Sequence, residues 1–339
     1  MKYSKDLKKV HFDMSKYNFT VVGTAATVSI FKVEKMPEVG ASTPVFGGSI
    51  IDFQNGGMGF NICAGLVSLG CSVYPVLTYA DARQHDYIHS FFALKNLPED
   101  GIKDPPENSC GTTIMIQDGE KNHMTLITEY GNRLPASDYF DEQKMEDKFF
   151  KSSDYVILTA TFPKNADSAV DAIIMSQKPF VLSMRKDKNA FPHEILFKAL
   201  INANYLFANK TEVDFIVDEY EFKKIEDLFE YGKMKYIVQT MGKDGSIIIS
   251  KDVDGIYVYD RVPAVHCRTP IIDTVGAGDG YVCGFMYGIL NGKTMHECAL
   301  LGSTLSSFIL ENEGSVTNLP DEKRLIERFK ESRGIGYEF

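Results

Sequence analysis

Four consecutive residues, Gly276, Ala277, Gly278 and Asp279, combine two things that a group-transfer centre needs. The glycines and the alanine are too small to pack and suit sharp turning. Residues 281–290 then read as a helix. A small-residue loop that opens a helix aims several backbone N–H groups at one spot, which the helix macrodipole makes positive. Such a spot holds an anion, most usefully one that forms during a reaction. Asp279 falls beside the amides of Ala277 and Gly278. A carboxylate there can take a proton from a hydroxyl while the amides hold a transferring phosphoryl group, the pairing that phosphoryl transfer requires. The plainer reading makes the glycines a turn and Asp279 a helix cap.

The longer string is more specific than its four central residues. Asp273-Thr274-Val275-Gly276-Ala277-Gly278-Asp279-Gly280-Tyr281-Val282-Cys283-Gly284-Phe285 follows an apolar patch of Pro270, Ile271 and Ile272. It resembles the C-terminal signature of the ribokinase-like (PfkB) family of carbohydrate and nucleoside kinases, close to D-T-x-G-A-G-D-x-F-x-x-G. Tyr281 stands where Phe is usual, and Gly280 where Ala is usual. A second string, Gly56-Gly57-Met58-Gly59-Phe60-Asn61-Ile62-Cys63-Ala64, closes with Leu69-Gly70. It is similar to the family's N-terminal signature, and the two occur in the expected order.

The resemblance implies an α/β fold: a ribokinase-like three-layer sandwich with a mostly parallel central sheet flanked by helices, plus a small β-lid. It implies a single kinase domain over 1–339, with the lid formed by about 27–54 and 111–130. It implies an ATP-dependent phosphotransferase acting on a small-molecule hydroxyl, first of all a sugar or sugar derivative. Asp279 is then the general base, and the amides of Gly276, Ala277 and Gly278 stabilise the phosphoryl group. Gly56, Gly57 and Asn61 become acceptor contacts, although Asn61 equally suits a helix cap. Tyr130-Gly131-Asn132 is similar to the family's Gly-Ala-Asn, which makes Asn132 a substrate contact or else a loop turn; Glu129 and Arg133 flank it. Asn209-Lys210-Thr211-Glu212 resembles N-x-x-E. That motif orders Mg²⁺ through water, since a hard cation wants carboxylate and water oxygens; a capped helix start reads equally well. Thr240-Met241-Gly242-Lys243-Asp244-Gly245 resembles the T-x-G-x-x-G hairpin, so Thr240, Gly242 and Gly245 border the nucleotide, and Lys243 reads as an exposed turn lysine. A monovalent cation such as K⁺ near Asp273 and a homodimer clasped through a lid strand edge are further implications.

One departure bears on the acceptor. Family sugar kinases commonly carry Asn and then Asp just after the first strand, where Ala26 and Val28 stand here. Neither side chain accepts a hydrogen bond from a hydroxyl. Thr24, Thr27 and Ser29 are the substitutes at hand. A nucleoside kinase of the same fold therefore stays open, as does a degenerate metabolite-binding regulatory protein.

The elements that must position these residues follow from pattern. Residues 19–23 read as a buried first strand ending in Gly. Residues 37–40 (Pro-Glu-Val-Gly) fit the family's P-x-x-G element but are first an ordinary turn. A helix follows over 60–69, a strand over 71–77 and a helix over 82–94. That helix carries His85 and His89 at i, i+4, a zinc-like spacing. Asp86 is not the Glu of H-E-x-x-H and no third ligand follows nearby, so a partly exposed helix face is expected. Residues 111–116 and 123–128 are β-rich runs joined by Asp118-Gly119, a hairpin signal. From about 150, strands (155–158, 180–182, 205–207, 235–239) alternate with helices (166–176, 191–201), the pattern of a parallel sheet. A strand at 246–250, a hairpin arm at 252–259 and helices at 281–290 and 296–310 complete the chain. On the last helix Ala299, Gly302, Ser303 and Ser306 leave room for adenine or, more simply, for close helix packing.

Composition sets bounds on 339 residues. An apolar content of 44% supports a large core. The formal charge of −10 offers no basic excess to displace phosphate counterions, which argues against a nucleic-acid partner. No run of 18 apolar residues suggests a membrane span. The basic, polar start (residues 1–9) does not read as a secretory signal. Six cysteines without C-x-x-C spacing read as reduced thiols of a cytoplasmic protein.

Overall fold

The computed structural model describes residues 17–48, 53–107, 109–120, 122–128, 145–161 and 163–333. Strand β1 (Tyr17–Val33) is its spine. Val, Ile, Thr and Phe, which favour strands, crowd this stretch. Its first half lies in the middle of the central sheet, parallel to β4 (Val73–Tyr79) on one side and β8 (Ser153–Leu158) on the other. Outward from β8 run β9 (Phe180–Ser183), β10 (Tyr205–Asn209) and β11 (Tyr236–Thr240), all parallel. Then come β12 (Ser246–Lys251) and β13 (Tyr257–Val262), antiparallel. The short β5 (Ile102–Lys103) borders β4 at the far edge.

The second half of β1 leaves this sheet and carries the lid. It pairs with β2 (Val45–Gly47), β3 (Gln54–Gly56) and β6 (Thr112–Gln117), and β6 pairs with β7 (His123–Thr128). The sequence pattern ends the first strand at Gly23, yet the strand runs on. Glycine is needed there for closeness: a Cβ on Gly23 would lie 2.9 Å from the Gly59 Cα and 2.0 Å from the Thr159 Oγ1.

Alternation along the strands feeds two cores. Phe19, Val21, Ile157 and Phe207 pack under α1 (Met58–Ser68), α2 (His85–Leu94), α7 (Ala277–Leu290), α8 (Met295–Leu310) and α9 (Glu322–Arg333). Val22, Val156, Leu158 and Leu206 face α3 (Lys148–Lys151), α4 (Pro163–Ser176), α5 (His193–Asn202) and α6 (Lys210–Glu219). The result is three layers, helices on both faces of a mostly parallel sheet.

The small residues of α8 serve packing. A Cβ on Gly302 would lie 2.7 Å from the Tyr281 carbonyl oxygen, and the Ser306 hydroxyl donates to the Ala277 carbonyl at 2.8 Å. Pro37 to Gly40 form an exposed turn closed by the Ala41 N–H on the Glu38 carbonyl. Pro270, Ile271 and Ile272 form no strand, and both isoleucines are exposed.

Candidate active site

The helix α7 opens at Gly276, whose φ of 79° lies in the left-handed region. A Cβ there would approach the Ser315 Cβ to 2.4 Å, so the turn closes against the loop after α8. Gly276 is thus the cap, and Asp279 is the third residue of the helix. The N–H groups of Gly276 and Gly278 have no hydrogen-bond partner among the described residues. That of Ala277 donates to the Thr274 carbonyl at 3.3 Å. Open space surrounds the Gly278 Cα, so an anion meets no side chain there.

Asp279 is buried, yet its carboxylate serves no cap. One oxygen, Oδ2, accepts from the Asn61 side-chain N–H at 2.7 Å. Asn61 in turn accepts from the Ser315 hydroxyl at 2.8 Å. Asn61 lies inside α1, whose cap is Gly57, so it positions Asp279 rather than closing a helix. Gly57 is needed where it stands: at φ 96° a Cβ would come within 2.7 Å of the Ala25 Cα and the Thr24 carbonyl oxygen. That closeness brings α1 against β1 and Asn61 against Asp279.

Burial pushes the Asp279 carboxyl up to about 7, against the pull of the Asn61 hydrogen bond and the Arg185 charge. Glu212 is likewise pushed up to about 7 by burial, with the Asp279 charge adding to the rise. The two acids share one space with Arg185, which follows β9 and binds Asp187 at 2.6 Å. A carboxyl poised near neutrality is suited to take a proton at physiological pH.

Two cavities meet at Asp279, Gly276, Met58, His123 and Arg185. The first, about 250 Å³, lies between the sheet and the lid. Thr24, Asn61, Thr161 and Asp187 are among its polar groups, and Val28, Met115, Ile127 and Val275 form an apolar wall with Thr113, His123 and Thr125 between them. Of the suggested hydroxyl readers, Thr24 lines this space. Thr27 is buried and bonded to Asp81 at 2.8 Å, and Ser29 is buried outside it. The second cavity, about 240 Å³, is lined by Asn209, Glu212, Thr240, Gly276, Gly278 and Asp279.

The two readings of Asn209 and Glu212 coincide. They form a capping box on α6, the Glu212 N–H donating to Asn209 at 3.0 Å and the Asn209 N–H to Glu212 at 2.7 Å. They also border the cavity beside Asp279. Gly56, Ala277, Gly242 and Gly245 line neither cavity. Gly56 sits in β3 over Ser315. Gly245 lets the hairpin approach β13, since a Cβ there would lie 2.0 Å from the Val262 carbonyl oxygen. Gly242 and Lys243 are exposed. Asn132, with Glu129, Tyr130, Gly131 and Arg133, lies outside the described residues.

Asp273 ties the parts together. It accepts from the N–H groups of Val275 and Gly314, each at 3.1 Å, and from the lid residue Gln117 at 3.4 Å. Sequence reasoning missed Arg185, Asp187 and His123 as site residues. The one available signal for the first two was their place just after a parallel strand, at the sheet edge where such folds bind ligands.

The model of the pfkB family carbohydrate kinases matches residues 18–322. The chain belongs to that family. It is a kinase, a phosphotransferase with a hydroxyl acceptor. Among its relatives is a nucleoside kinase of Methanothermobacter thermautotrophicus, 30% identical over 223 residues, 66% of this chain and 67% of the relative. A nucleoside kinase of Methanocaldococcus jannaschii is 26% identical over 318 residues, 93% of this chain and 97% of the relative. The solved structure of Burkholderia thailandensis nucleoside kinase in complex with inosine superposes with a TM-score of 0.77 at 18% identity, covering 95% of this chain and all of that one. That likeness concerns the fold, a ribokinase-type three-layer sandwich.

Kinases of this family use ATP and typically Mg²⁺, and the second cavity fits them. The unpartnered N–H groups of Gly276 and Gly278 suit phosphate, and the open Gly278 Cα admits it. The carboxylates of Asp279 and Glu212 on one space suit a hard cation.

Proposed function

We propose that this kinase transfers the γ-phosphoryl group of ATP to a hydroxyl of a nucleoside, a sugar derivative whose base needs an apolar berth. The apolar wall of the first cavity carries this reading. Val28, Met115, Ile127 and Val275 face a space that Asp279 also lines. A free sugar presents hydroxyls all round and would leave such a wall unused, whereas a flat base covers it. Val28 now stands as part of that wall instead of a missing hydroxyl clamp. The sugar half of the acceptor would be read by Thr24, Asn61 and Asp187. Two relatives bear the name nucleoside kinase.

Asp279 takes the acceptor proton, and Asn61 holds its carboxylate in place. The loop of Gly276, Ala277 and Gly278 receives the phosphoryl group, with the N–H groups of Gly276 and Gly278 as donors. Arg185, set between the cavities, neutralises charge on the transferring group. Asn209 and Glu212 order Mg²⁺ through water, and Thr240 borders the nucleotide. Mg²⁺, when bound, offsets the charge of the phosphates. In this reading 1–339 works as one kinase domain with the lid inserted.

ADP release from Mg-ATP over a panel of nucleosides, sugars, sugar phosphates and sugar acids tests it. Turnover with nucleosides, lost in Asp279→Asn, is expected. Turnover with free sugars alone would move the acceptor to the carbohydrates, a reading that the Asp187 carboxylate favours. Tight metabolite binding without ADP formation would point to a degenerate regulatory protein.

Three narrower parts complete the reading. A monovalent cation such as K⁺ near Asp273 is one; equal turnover in potassium and tetramethylammonium salts would dismiss it. A homodimer through the lid is another, taken up below. Cytoplasmic location is the third, supported by six unpaired cysteines and open to cell fractionation.

A further inference from the structure

Helix α2 carries His85 and His89 one turn apart, and the chain supplies a third ligand that spacing alone did not reveal. Asp104 follows β5 at the edge of the sheet and reaches back to the helix. Its Oδ1 lies 2.8 Å from the His89 Nε2, and its Oδ2 lies 3.7 Å from the His85 Nε2. All three ligand atoms fall within 4.8 Å of one another. A tetrahedral Zn²⁺ with bonds of about 2.05 Å holds its donors about 3.3 Å apart, which small side-chain shifts reach from this spacing. The two rings lie face to tilted face, centroids 4.4 Å apart.

The surroundings orient each ligand. The His89 Nδ1 faces Glu99 at 2.5 Å, and the His85 Nδ1 faces Asp86 at 3.2 Å. Both rings therefore turn Nε2 toward the same point. The Tyr79 hydroxyl donates to Asp104 at 2.7 Å and fixes that carboxylate. Outer partners of this kind, carboxylates on the far nitrogen of each imidazole, characterise built metal sites. His85 and Asp104 are about half exposed, which leaves room for a water as fourth ligand. Two imidazoles select a transition ion over Mg²⁺ or Ca²⁺.

We propose that His85, His89 and Asp104 form a binding site for a divalent transition metal of the zinc class, completed by water. Binding joins α2 to the sheet edge. Metal binds imidazole in its unprotonated form, so affinity rises with pH. The site is separate from the phosphoryl-transfer centre and does not rest on the nucleoside reading.

Co²⁺ titration of chelator-treated, full-length protein tests this, with excess Mg²⁺ present to occupy hard-oxygen sites. One equivalent of Co²⁺ should develop the strong visible bands of a four-coordinate site, and Zn²⁺ should bleach them. His85→Gln and Asp104→Asn should each weaken binding about 10-fold or more; both side chains are half exposed, so far-ultraviolet circular dichroism should stay unchanged. Glu99→Gln should weaken it about 10-fold, through ring orientation alone. Absence of the bands from the native protein would overturn the proposal. So would titrations of His85→Gln and Asp104→Asn that match the native curve.

Discussion

A carboxylate buried where two cavities meet is a liability for folding, and Asp279 carries that liability. Its carboxyl rises from 3.8 to about 7, chiefly through burial. The native state thus keeps a proton that the unfolded chain has lost at intermediate pH. Stability from this group is complete below about pH 4, declines as pH rises, and is gone above about 7. Asp279→Asn should therefore abolish turnover by several orders of magnitude and stabilise the protein above pH 7, by at most about 4 kcal/mol at 1.4 kcal/mol per pH unit. Paired ADP-release assays and thermal melts at pH 5 and 8 read both; a variant no more stable at pH 8 than the parent refutes the burial account. The rate limb belongs to the same group. If Asp279 is the base proposed above, the ratio kcat/KM should climb as pH rises through about 7, because a carboxylate base works unprotonated. Glu212 titrates in the same range and feels the Asp279 charge, so the limb reports the pair. Asn61 holds the ionised form, and Asn61→Ala should move the limb to higher pH as well as lower its plateau. A lowered plateau on an unmoved limb would make Asn61 an acceptor contact only. Legibility at this scale followed locality. Asp279 stood in a contiguous string, whereas Arg185 and Asp187 lie in Ser183-Met184-Arg185-Lys186-Asp187, which has no local mark of function. Asp104 likewise becomes a neighbour of His85 and His89 only when β5 lies beside β4.

Elements were read well where period and punctuation agreed. The strand expected at 123–128 is β7 (His123–Thr128), and the helix expected at 296–310 is α8 with one residue added. Starts of glycine-opened helices were placed late, α1 by two residues and α7 by four, because glycine reads as loop although here it caps and opens helices. Two glycines of the same loop separate structure from chemistry. Gly276→Ala forces a side chain into a left-handed residue and against Ser315. Strain of about 1–2 kcal/mol and overpacking of about 1–3 kcal/mol should add to a clear fall in melting temperature. Gly278→Ala meets nothing within 4 Å and gains helix propensity of up to about 1 kcal/mol. It should melt no lower than the parent, yet lose turnover or ATP affinity, since its Cβ enters the space proposed for phosphate. Equal kinetics for Gly278→Ala and the parent would remove that loop from phosphate binding.

Over the whole molecule, the lid's alternation decides what each of its faces meets. Thr113, Met115, His123, Thr125 and Ile127 line the first cavity, the one proposed for the acceptor. Their neighbours Ile114, Ile116, Met124 and Leu126 point the other way, paired Ile116 with Met124 and Ile114 with Leu126. Met124 and Leu126 remain 48% and 49% exposed, and β7 pairs only with β6 among the described residues. An apolar outer face beside an unpaired strand edge invites a second copy. The homodimer proposed for this kinase would bury both features by setting two lids face to face. Leu126→Glu places like charges across such a twofold contact and should halve the mass seen by light scattering at micromolar protein. The second cavity takes only His123 from the lid and is otherwise lined by α1, α6, α7 and the central sheet, so ATP binding should survive in the monomer. Acceptor KM should rise, because the inner residues of β7 depend on the outer face for their support. A native protein that scatters as a monomer at tens of micromolar would end the dimer proposal, while leaving the assignment of Asp279 to be judged on the rate and pH data alone.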